Sequence, residues 1–317
     1  MRTLVLLCAL LIGSTKASTL TPYQLAFEQD KWQWLAEQLA SDTELSNTEK
    51  LQWQARIQLA NNSAGQVVEL LEPSLDANSP DAELWYLAAM AKLQLAQSSS
   101  IFSKASHAKQ GLAWLQQANL RAPDRLDILT TLIGFYRQAP AIVGGDDEKA
   151  DAFMHELERK SPVHAVVLRA GLLLPDHAQQ ALALLEQQPQ PQQARWQGAM
   201  AQVRLALKQP EAAFSHYQQA AALETDLSDQ QGYLYQLGRL AATEQQDLQI
   251  GAEALQRYLQ FYQDSQHPRL DWAKLRLAEV LLRQQRPQAS ELLGSLKAGE
   301  DKKFNTELKR VKKLLNS

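Results

Sequence analysis

The sequence contains almost no cysteine, because Cys8 is the only one among 317 residues. Cys8 lies inside an apolar run near the N-terminus, so a chain from which this run is removed has no thiol at all. Such a chain forms neither disulfides nor cysteine-ligated zinc sites. Its stability must come from an apolar core, and a hydrophobic content of 45% supports one.

A strong excess of charge of one sign is also lacking, since the formal net charge is −3. Nucleic acids and anionic membranes select proteins with a concentrated positive surface. We therefore expect no nucleic-acid partner. Beyond the N-terminal run, no apolar stretch approaches the about 20 residues that cross a bilayer, so we expect no integral membrane segment after signal cleavage.

The first 17 residues have the order of a secretory signal peptide. Arg2 precedes the apolar run 4–12, and the small residues Thr15 and Ala17 close the segment. We predict cleavage after Ala17 and a bacterial protein that is periplasmic or secreted. The alternative is an uncleaved anchor, for which the run is well short of the about 20 residues that span a membrane.

Apolar residues recur at helical spacing, with few alternating β-branched runs. Trp53 and Trp85 lie 32 residues apart, and each opens an apolar helix that is followed by a break and a second helix. This spacing is close to the about 34 residues of a tetratricopeptide repeat (TPR). We predict an all-α fold: an α-α superhelix, a TPR-like solenoid of stacked antiparallel helix pairs.

The best match to the repeat pattern begins at Ala194, in "QARWQGAMAQVRLALKQ" followed by "PEAAFSHYQQAAAL". Small residues such as Ala201 and Ala213 let helix backbones approach closely, as does Gly238 in the next pair. Large side chains such as Tyr217 then fill the space beside them. Aromatic residues are therefore interpreted first as core.

The glutamine- and proline-rich stretch "EQQPQPQQAR" predicts a linker around Pro189 and Pro191. We therefore divide the chain into a signal peptide, 1–17, an N-terminal helical-repeat stack, 18–188, and a C-terminal TPR-like stack, 189–317.

The last predicted helix, "KKFNTELKRVKKLLNS", aligns Phe304, Leu308, Val311 and Leu315 on one face and places basic residues elsewhere. This pattern is typical of the terminal cap of a solenoid, and also of a basic helix that binds a membrane or an acidic partner. We favour the cap.

The segment "YRQAPAIVGGDDEKA" interrupts the helices. Gly144 and Gly145 can take positive φ, and Asp146 can cap the next helix by accepting hydrogen bonds from its free N–H groups. We interpret the segment as a structural turn. The alternative is a cation site at Asp146 and Asp147, although calcium usually takes six to eight oxygen ligands.

Motifs for enzymatic chemistry are missing. The six histidines are scattered and form no His-Glu-x-x-His motif, and no Gly-x-Ser-x-Gly nucleophile motif occurs. We predict that the protein is not an enzyme, with no catalytic residue, no metal and no cofactor.

The stretch "IFSKASHAKQGLAWLQQANLRAPDRLDILTTLIGFYRQAPAIVGGDDEKADAF", Ile101 to Phe153, resembles a group of exported bacterial TPR proteins. That group shares a hydrophobic-Phe-Ser-Lys lead and a loop with Ala-Pro, Gly-Gly and Lys-Ala between two helices. Ala141 stands where a small residue or glycine usually follows the proline. The resemblance implies a fold and a compartment rather than a reaction.

Two functions fit these features. The first is a non-enzymatic module that holds a protein or peptide partner in a groove lined by first helices, where arginine and tyrosine suit recognition. Carrying over the repeat register places these residues on the groove: Tyr86, Asp127, Thr130, Arg137, Arg195, Gln202, Tyr235 and Arg239.

The second is a small-molecule binding or transport accessory protein, in which the 98–108 insertion closes the groove. A deep pocket lined by Trp85, Phe102, Trp114 and Tyr136 would support this alternative.

Overall fold

A computed structural model describes residues 21–76, 79–98 and 100–315, without the side chains of residues 101 and 102. The predicted signal peptide lies outside the described residues. Within them the structure is helical throughout, with seventeen α-helices, two short 3-10 turns and no strand. The predicted all-α fold is confirmed.

The helices have these bounds: α1 Pro22–Glu28, α2 Trp32–Ser41, α3 Asn47–Ala60, α4 Ala64–Leu71, α5 Ala82–Ser98, α6 Ile101–Arg121, α7 Leu126–Gln138, α8 Asp147–Lys160, α9 Pro162–Leu172, α10 Ala178–Gln187, α11 Ala194–Ala206, α12 Pro210–Leu223, α13 Leu227–Glu244, α14 Leu248–Phe261, α15 Leu270–Arg283, α16 Gln288–Ser295 and α17 Lys302–Leu314. No helix among the described residues is long and apolar enough to cross a bilayer.

The chain forms two packing units. The first contains residues 33–165, in which α3 packs on α4, α5 on α6, and α7 on α8. The second contains residues 166–315 together with residues 21–32. In it, successive helices from α10 to α16 pack on their neighbours, and α17 packs on α15.

The boundary between the units lies within α9, upstream of the predicted linker. Across that linker, the indole Nε1–H of Trp196 donates to the carbonyl of Leu185 at 3.3 Å, and both side chains share one core cluster. These contacts join the two sides of the proline-rich stretch. The ranges 18–188 and 189–317 remain a prediction.

Helices α13 and α14 cross at two glycines. A Cβ atom added at Gly238 would lie 2.1 Å from Cγ of Leu255, and one added at Gly251 would lie 2.0 Å from Cβ of Ala241. Both distances are far below van der Waals contact, so the two backbones approach as closely as glycine allows. Two of the small residues predicted for close crossing, Ala201 and Ala213, are fully buried.

We predict that Gly238→Ala lowers the free energy of unfolding by about 1–3 kcal/mol, because the added methyl group overpacks the crossing. The matched control is Gly232→Ala in the same helix, where an added Cβ meets no atom within 4 Å. The control should raise stability by roughly 0.5–1 kcal/mol through helix propensity. Urea titration of both variants measures the difference, and equal effects would contradict the close-crossing interpretation.

Helix α1 belongs to the second unit, although the residues of the first unit follow it in sequence. The Asp30 carboxylate lies 2.5 Å from Nδ1 of His267, and the Gln266 N–H donates to the Asp30 carbonyl at 3.3 Å. Nε2 of His267 bonds the Tyr258 hydroxyl. Tyr258 is only 2% exposed, and this hydrogen-bonded chain ties the residues that follow α1 to α14 and to the segment before α15.

The carboxyl group of Glu28, two residues before Asp30, is also partly buried. Burial raises its pKa to about 7, and the nearby carboxylates of Asp226, Asp229 and Asp30 add to the rise, while a hydrogen bond from Ser228 opposes it. An acid whose pKa is raised in the folded state releases its proton first in the unfolded chain. The free energy of unfolding therefore falls as pH rises from the ordinary value, 4.5, to about 7.

We predict that Glu28→Gln stabilises the protein by on the order of 2–3 kcal/mol at about pH 8 and has little effect at about pH 5. The neutral amide removes the cost of a buried charge that exists only at the higher pH. Glu211→Gln, at an exposed position of α12, is the control and should change stability equally at both pH values. A pH-independent effect of Glu28→Gln would contradict the assignment.

The turn between α7 and α8 is built from backbone geometry. Gly144 has φ +106°, and a Cβ at Gly145 would lie 1.8 Å from the carbonyl oxygen of Ala139. The φ of Gly145 is not positive, so close approach explains this second glycine. Asp146 is the N-cap of α8, and its carboxylate accepts from the N–H of Lys149 at 3.1 Å.

The last helix buries most of its apolar face. Phe304, Leu308 and Val311 lie in a core cluster with residues of α15 and α16, whereas Leu315 is 41% exposed. This packing is that of a cap on α15. The basic residues of α17 remain outside the core.

Candidate partner-binding surface

In the first unit, two predicted groove residues come together in an internal ion network. Tyr86 and Asp127 are 4% and 5% exposed. The Arg125 guanidinium lies 4.9 Å from the centre of the Tyr86 ring, and its Nη2 atom lies 2.5 Å from the Asp127 carboxylate. Arg125 also pairs with Glu83, which accepts from Arg56 at 2.8 Å. These residues stabilise the stack and offer little surface to a partner.

The other two predicted groove residues of the first unit, Arg137 and Thr130, lie outside this ion network. Arg137 pairs with Asp147 at 2.9 Å and with Asp151, so its guanidinium joins α7 to α8. Thr130 is half-buried, and no contact brings it to the Tyr86 network.

We predict that Arg125→Met lowers the free energy of unfolding by about 3 kcal/mol, because it leaves the Asp127 charge buried without its partner. Adding Asp127→Asn to this variant should recover part of the loss, since the neutral amide needs no counter-charge. Urea titration of wild type and both variants gives the comparison. No recovery in the double variant would show that the loss does not come from the unpaired charge of Asp127.

In the second unit, Tyr235 and Arg239 come together on α13. Tyr235 is 8% exposed: it belongs to the apolar core cluster of this unit, and the Arg269 guanidinium lies over its ring at 5.5 Å. Burial raises the pKa of Tyr235, while the positive charges of Arg269, Arg276 and Arg239 lower it. Arg239 follows Tyr235 by one turn of α13, and Arg276 follows Arg269 by two turns of α15. We call these four residues the Tyr235 surface.

Two cations of the Tyr235 surface have no counter-ion. Among the described residues, no carboxylate lies within ion-pair distance of Arg239 or Arg269, and Nε of Arg239 donates to the neutral amide of Gln236 at 2.7 Å. Arg269 is exposed and Arg239 is half-buried. A ligand bearing carboxylates can therefore reach both guanidinium groups without displacing an internal ion pair.

The two units share this tyrosine–arginine arrangement and differ in its neutralisation. Glu83, three residues before Tyr86, pairs with Arg125; the corresponding position before Tyr235 is Gly232, which has no side chain. Arg269 therefore lacks the partner that Arg125 has.

The second acid of the arrangement is present in both units but pairs with the arginine only in the first. Asp127 follows Arg125 by two residues and is buried against it. Asp271 has the same place after Arg269, but its side chain is 62% exposed and lies 3.9 Å from Lys274.

A cleft of about 490 Å³ adjoins the Tyr235 surface through Arg276, and we call it the Trp272 cleft. Its lining combines cations with an aromatic ring and one acid: Trp272, Arg276, Lys302, Lys303, Thr306 and Glu307. The Arg276 guanidinium lies 5.2 Å from the centre of the Trp272 ring. The cleft therefore offers both apolar contact and positive charge.

An ion network underlies the cleft. Glu279 is fully buried and pairs with Arg276, Arg283 and Arg310 at 3.2, 3.1 and 2.7 Å. A hydrogen bond from Arg310 lowers the pKa of Glu307, which also pairs with Arg276 at 2.9 Å. Both acids are held by these contacts, and three arginines share two carboxylates.

The remaining predicted residues lie elsewhere in the second unit. Arg195 pairs with Asp229 at 3.6 Å, and Gln202 is exposed on α11. No contact joins either residue to the Tyr235 surface.

Sequence reasoning missed Arg269 and Arg276. A signal for Arg269 was present: the tripeptide Arg-Leu-Asp occurs at Arg125 and again at Arg269, each time at the start of a first helix. Its recurrence marks equivalent positions in the two units. Arg276 carries no such signal, because a charged residue on a helix is usually solvated.

Three of the four aromatic residues proposed for a closed pocket are core residues in the structure. Trp85, Trp114 and Tyr136 are buried in the core of the first unit. The Tyr136 ring stacks on Phe153 at 5.8 Å, and its hydroxyl accepts from Gln116 at 2.8 Å. The side chain of Phe102 lies outside the described residues.

No group of three or more potential metal ligands occurs among the residues that the structure describes. At the glycine turn, Asp146 caps α8 and Asp147 pairs with Arg137.

No model of a protein family matches the chain, and no curated protein matches it. Solved structures similar to it include the chain reported for the APC/C hetero-tetramer Cut9-Hcn1, with 12% identity over 91% of this chain and 54% of that one, at a TM-score of 0.44. A thermophilic TPR protein of Thermus thermophilus, TTC0263, has 19% identity over 74% and 98%, at 0.36. A monomeric IFIT1 mutant with Gppp-AAAA has 15% over 90% and 63%, at 0.42.

The chain thus spans about half the length of the Cut9-Hcn1 chain. At these identities and scores, the likeness carries no argument about a partner. The fold rests on the helix pairs of this chain.

Proposed function

We propose that the protein is a non-enzymatic protein-protein or peptide interaction module of the bacterial periplasm, and that the Tyr235 surface receives the partner. The observation that carries the proposal is the pair of guanidinium groups, on Arg239 and Arg269, without carboxylate partners beside a buried tyrosine. Arginine is enriched among residues that dominate binding energy. A rigid platform lowers the entropic cost of holding its side chain.

The compartment rests on the signal-like sequence 1–17 and on the resemblance of residues 101–153 to exported TPR proteins. N-terminal sequencing of exported protein should find Ser18 or a residue close to it. A chain that still carries Met1 would contradict export by cleavage.

The proposal is tested by quantitative pull-down from periplasmic extract with residues 18–317 as bait. We expect a partner that wild type retains and the double variant Arg239→Ala with Arg269→Ala loses. Arg257→Ala, an exposed arginine on α14, is the matched control and should retain it. Equal recovery by wild type and the double variant would place binding away from the Tyr235 surface.

A further inference from the structure

We infer that the Tyr235 surface and the Trp272 cleft together bind an acidic segment of the partner protein, which lies across α13, α15 and α17. This inference rests on the proposed function and names the chemistry of the partner. The two sites are adjacent, because Arg269 of the Tyr235 surface and Arg276 of the Trp272 cleft lie seven residues apart, about two turns, along α15.

The charges along this path do not balance. Apart from Lys274 and Asp271, which lie 3.9 Å from each other, seven cations lie on it, namely Arg239, Arg269, Arg276, Arg283, Lys302, Lys303 and Arg310, against three carboxylates, namely Glu279, Asp301 and Glu307. The excess is local, because the whole chain has a formal net charge of −3. A concentrated positive surface on an acidic protein selects an anionic partner.

The three carboxylates are already occupied. Glu279 is fully buried beneath its arginines, and Glu307 accepts from Arg276 and Arg310. Asp301 caps α17 and accepts from the Trp272 indole at 3.0 Å. They fix the positions of the cations and leave the outer N–H groups of Arg239 and Arg269, and the ammonium groups of Lys302 and Lys303, for a ligand.

A protein segment fits this surface better than a nucleic acid does. One half-buried indole, Trp272, offers apolar contact at one end, and the single tyrosine of the path is covered by Arg269. Single-stranded nucleic acids are usually bound on several exposed aromatic faces, on which successive bases stack. Carboxylate side chains need only the guanidinium forks, which they accept in bidentate geometry.

The difference between Arg125, which pairs with Glu83, and Arg269, which has no carboxylate partner, supplies the sharpest test of the inferred binding. Gly232→Glu would restore in the second unit the carboxylate that Glu83 gives to Arg125 in the first. The position is open, since an added Cβ meets no atom within 4 Å. Gly232→Gln has the same shape and no charge, so the pair separates charge from bulk.

The probe is a fluorescein-labelled oligoglutamate peptide, measured by anisotropy on residues 18–317 at low salt, with oligoglutamine and single-stranded RNA as comparators. We expect oligoglutamate alone to bind, with an affinity that falls as salt rises. Gly232→Glu should weaken binding roughly tenfold or more, because it pairs with Arg269. Gly232→Gln and Arg257→Ala should bind as wild type does.

Oligoglutamate binding that is absent, or equal in Gly232→Glu and Gly232→Gln, would overturn the acidic-segment inference. Binding of the RNA without the peptide would overturn it in favour of an oligonucleotide. In either case, the pull-down with Arg239→Ala and Arg269→Ala still decides independently whether the Tyr235 surface holds a protein.

Discussion

The close crossing of α13 and α14 at Gly238 and Gly251 is the constraint on which the second unit depends. Because Gly238 makes room for the side chain of Leu255 and Gly251 for that of Ala241, the helices approach closely, and Tyr235 of α13 lies 5.4 Å from Tyr258 of α14, measured between ring centres. Tyr258 in turn holds His267, at the start of the segment that leads into α15. A wider crossing would separate these rings, and the platform under Arg269 would be lost with them.

The same helical arrangement thus has two electrostatic outcomes in one chain. In the first unit, acids at both neighbouring positions turn a tyrosine–arginine contact into a stabilising network. In the second unit, the position of the first acid is Gly232, which has no side chain. The second acid, Asp271, is exposed to solvent and lies near Lys274. The guanidinium of Arg269 keeps its aromatic support and loses its neutralisation. An ion pair in a partly buried site is costly to break, whereas an unpaired arginine at a surface is ready to bind.

Much of the fold could be predicted from the sequence, because its determinants are local. Apolar spacing after Trp53 and Trp85 fixes helix pairs, and alanines such as Ala201 and Ala213 mark where backbones meet. The candidate site could be predicted only in part. Tyr235 and Arg239 were found from the repeat register, but the register cannot show that an arginine from the next helix pair covers the tyrosine ring.

The contact of α1 with the second unit was beyond sequence reasoning for a different reason. Helix α1 has seven residues, too few to be stable alone, so its position depends on contacts with residues more than 200 positions away. Such pairing leaves no periodic signal. The free-energy cost of ionising Glu28 could not be predicted from the sequence either, because it arises where the folded chain half-buries this carboxyl group near Asp226 and Asp229.

The second unit has an acidic region and a basic region. Carboxylates gather where α1 meets the start of α13, at Glu28, Asp226 and Asp229, and cations gather along α15 and α17. Charges act over about 8 Å at physiological salt, so each end acts mainly on what lies against it. An acidic segment is repelled from the start of α13 and attracted towards α17. For the acidic segment that we infer, this distribution favours a path away from α1 and along the cations that follow Arg276.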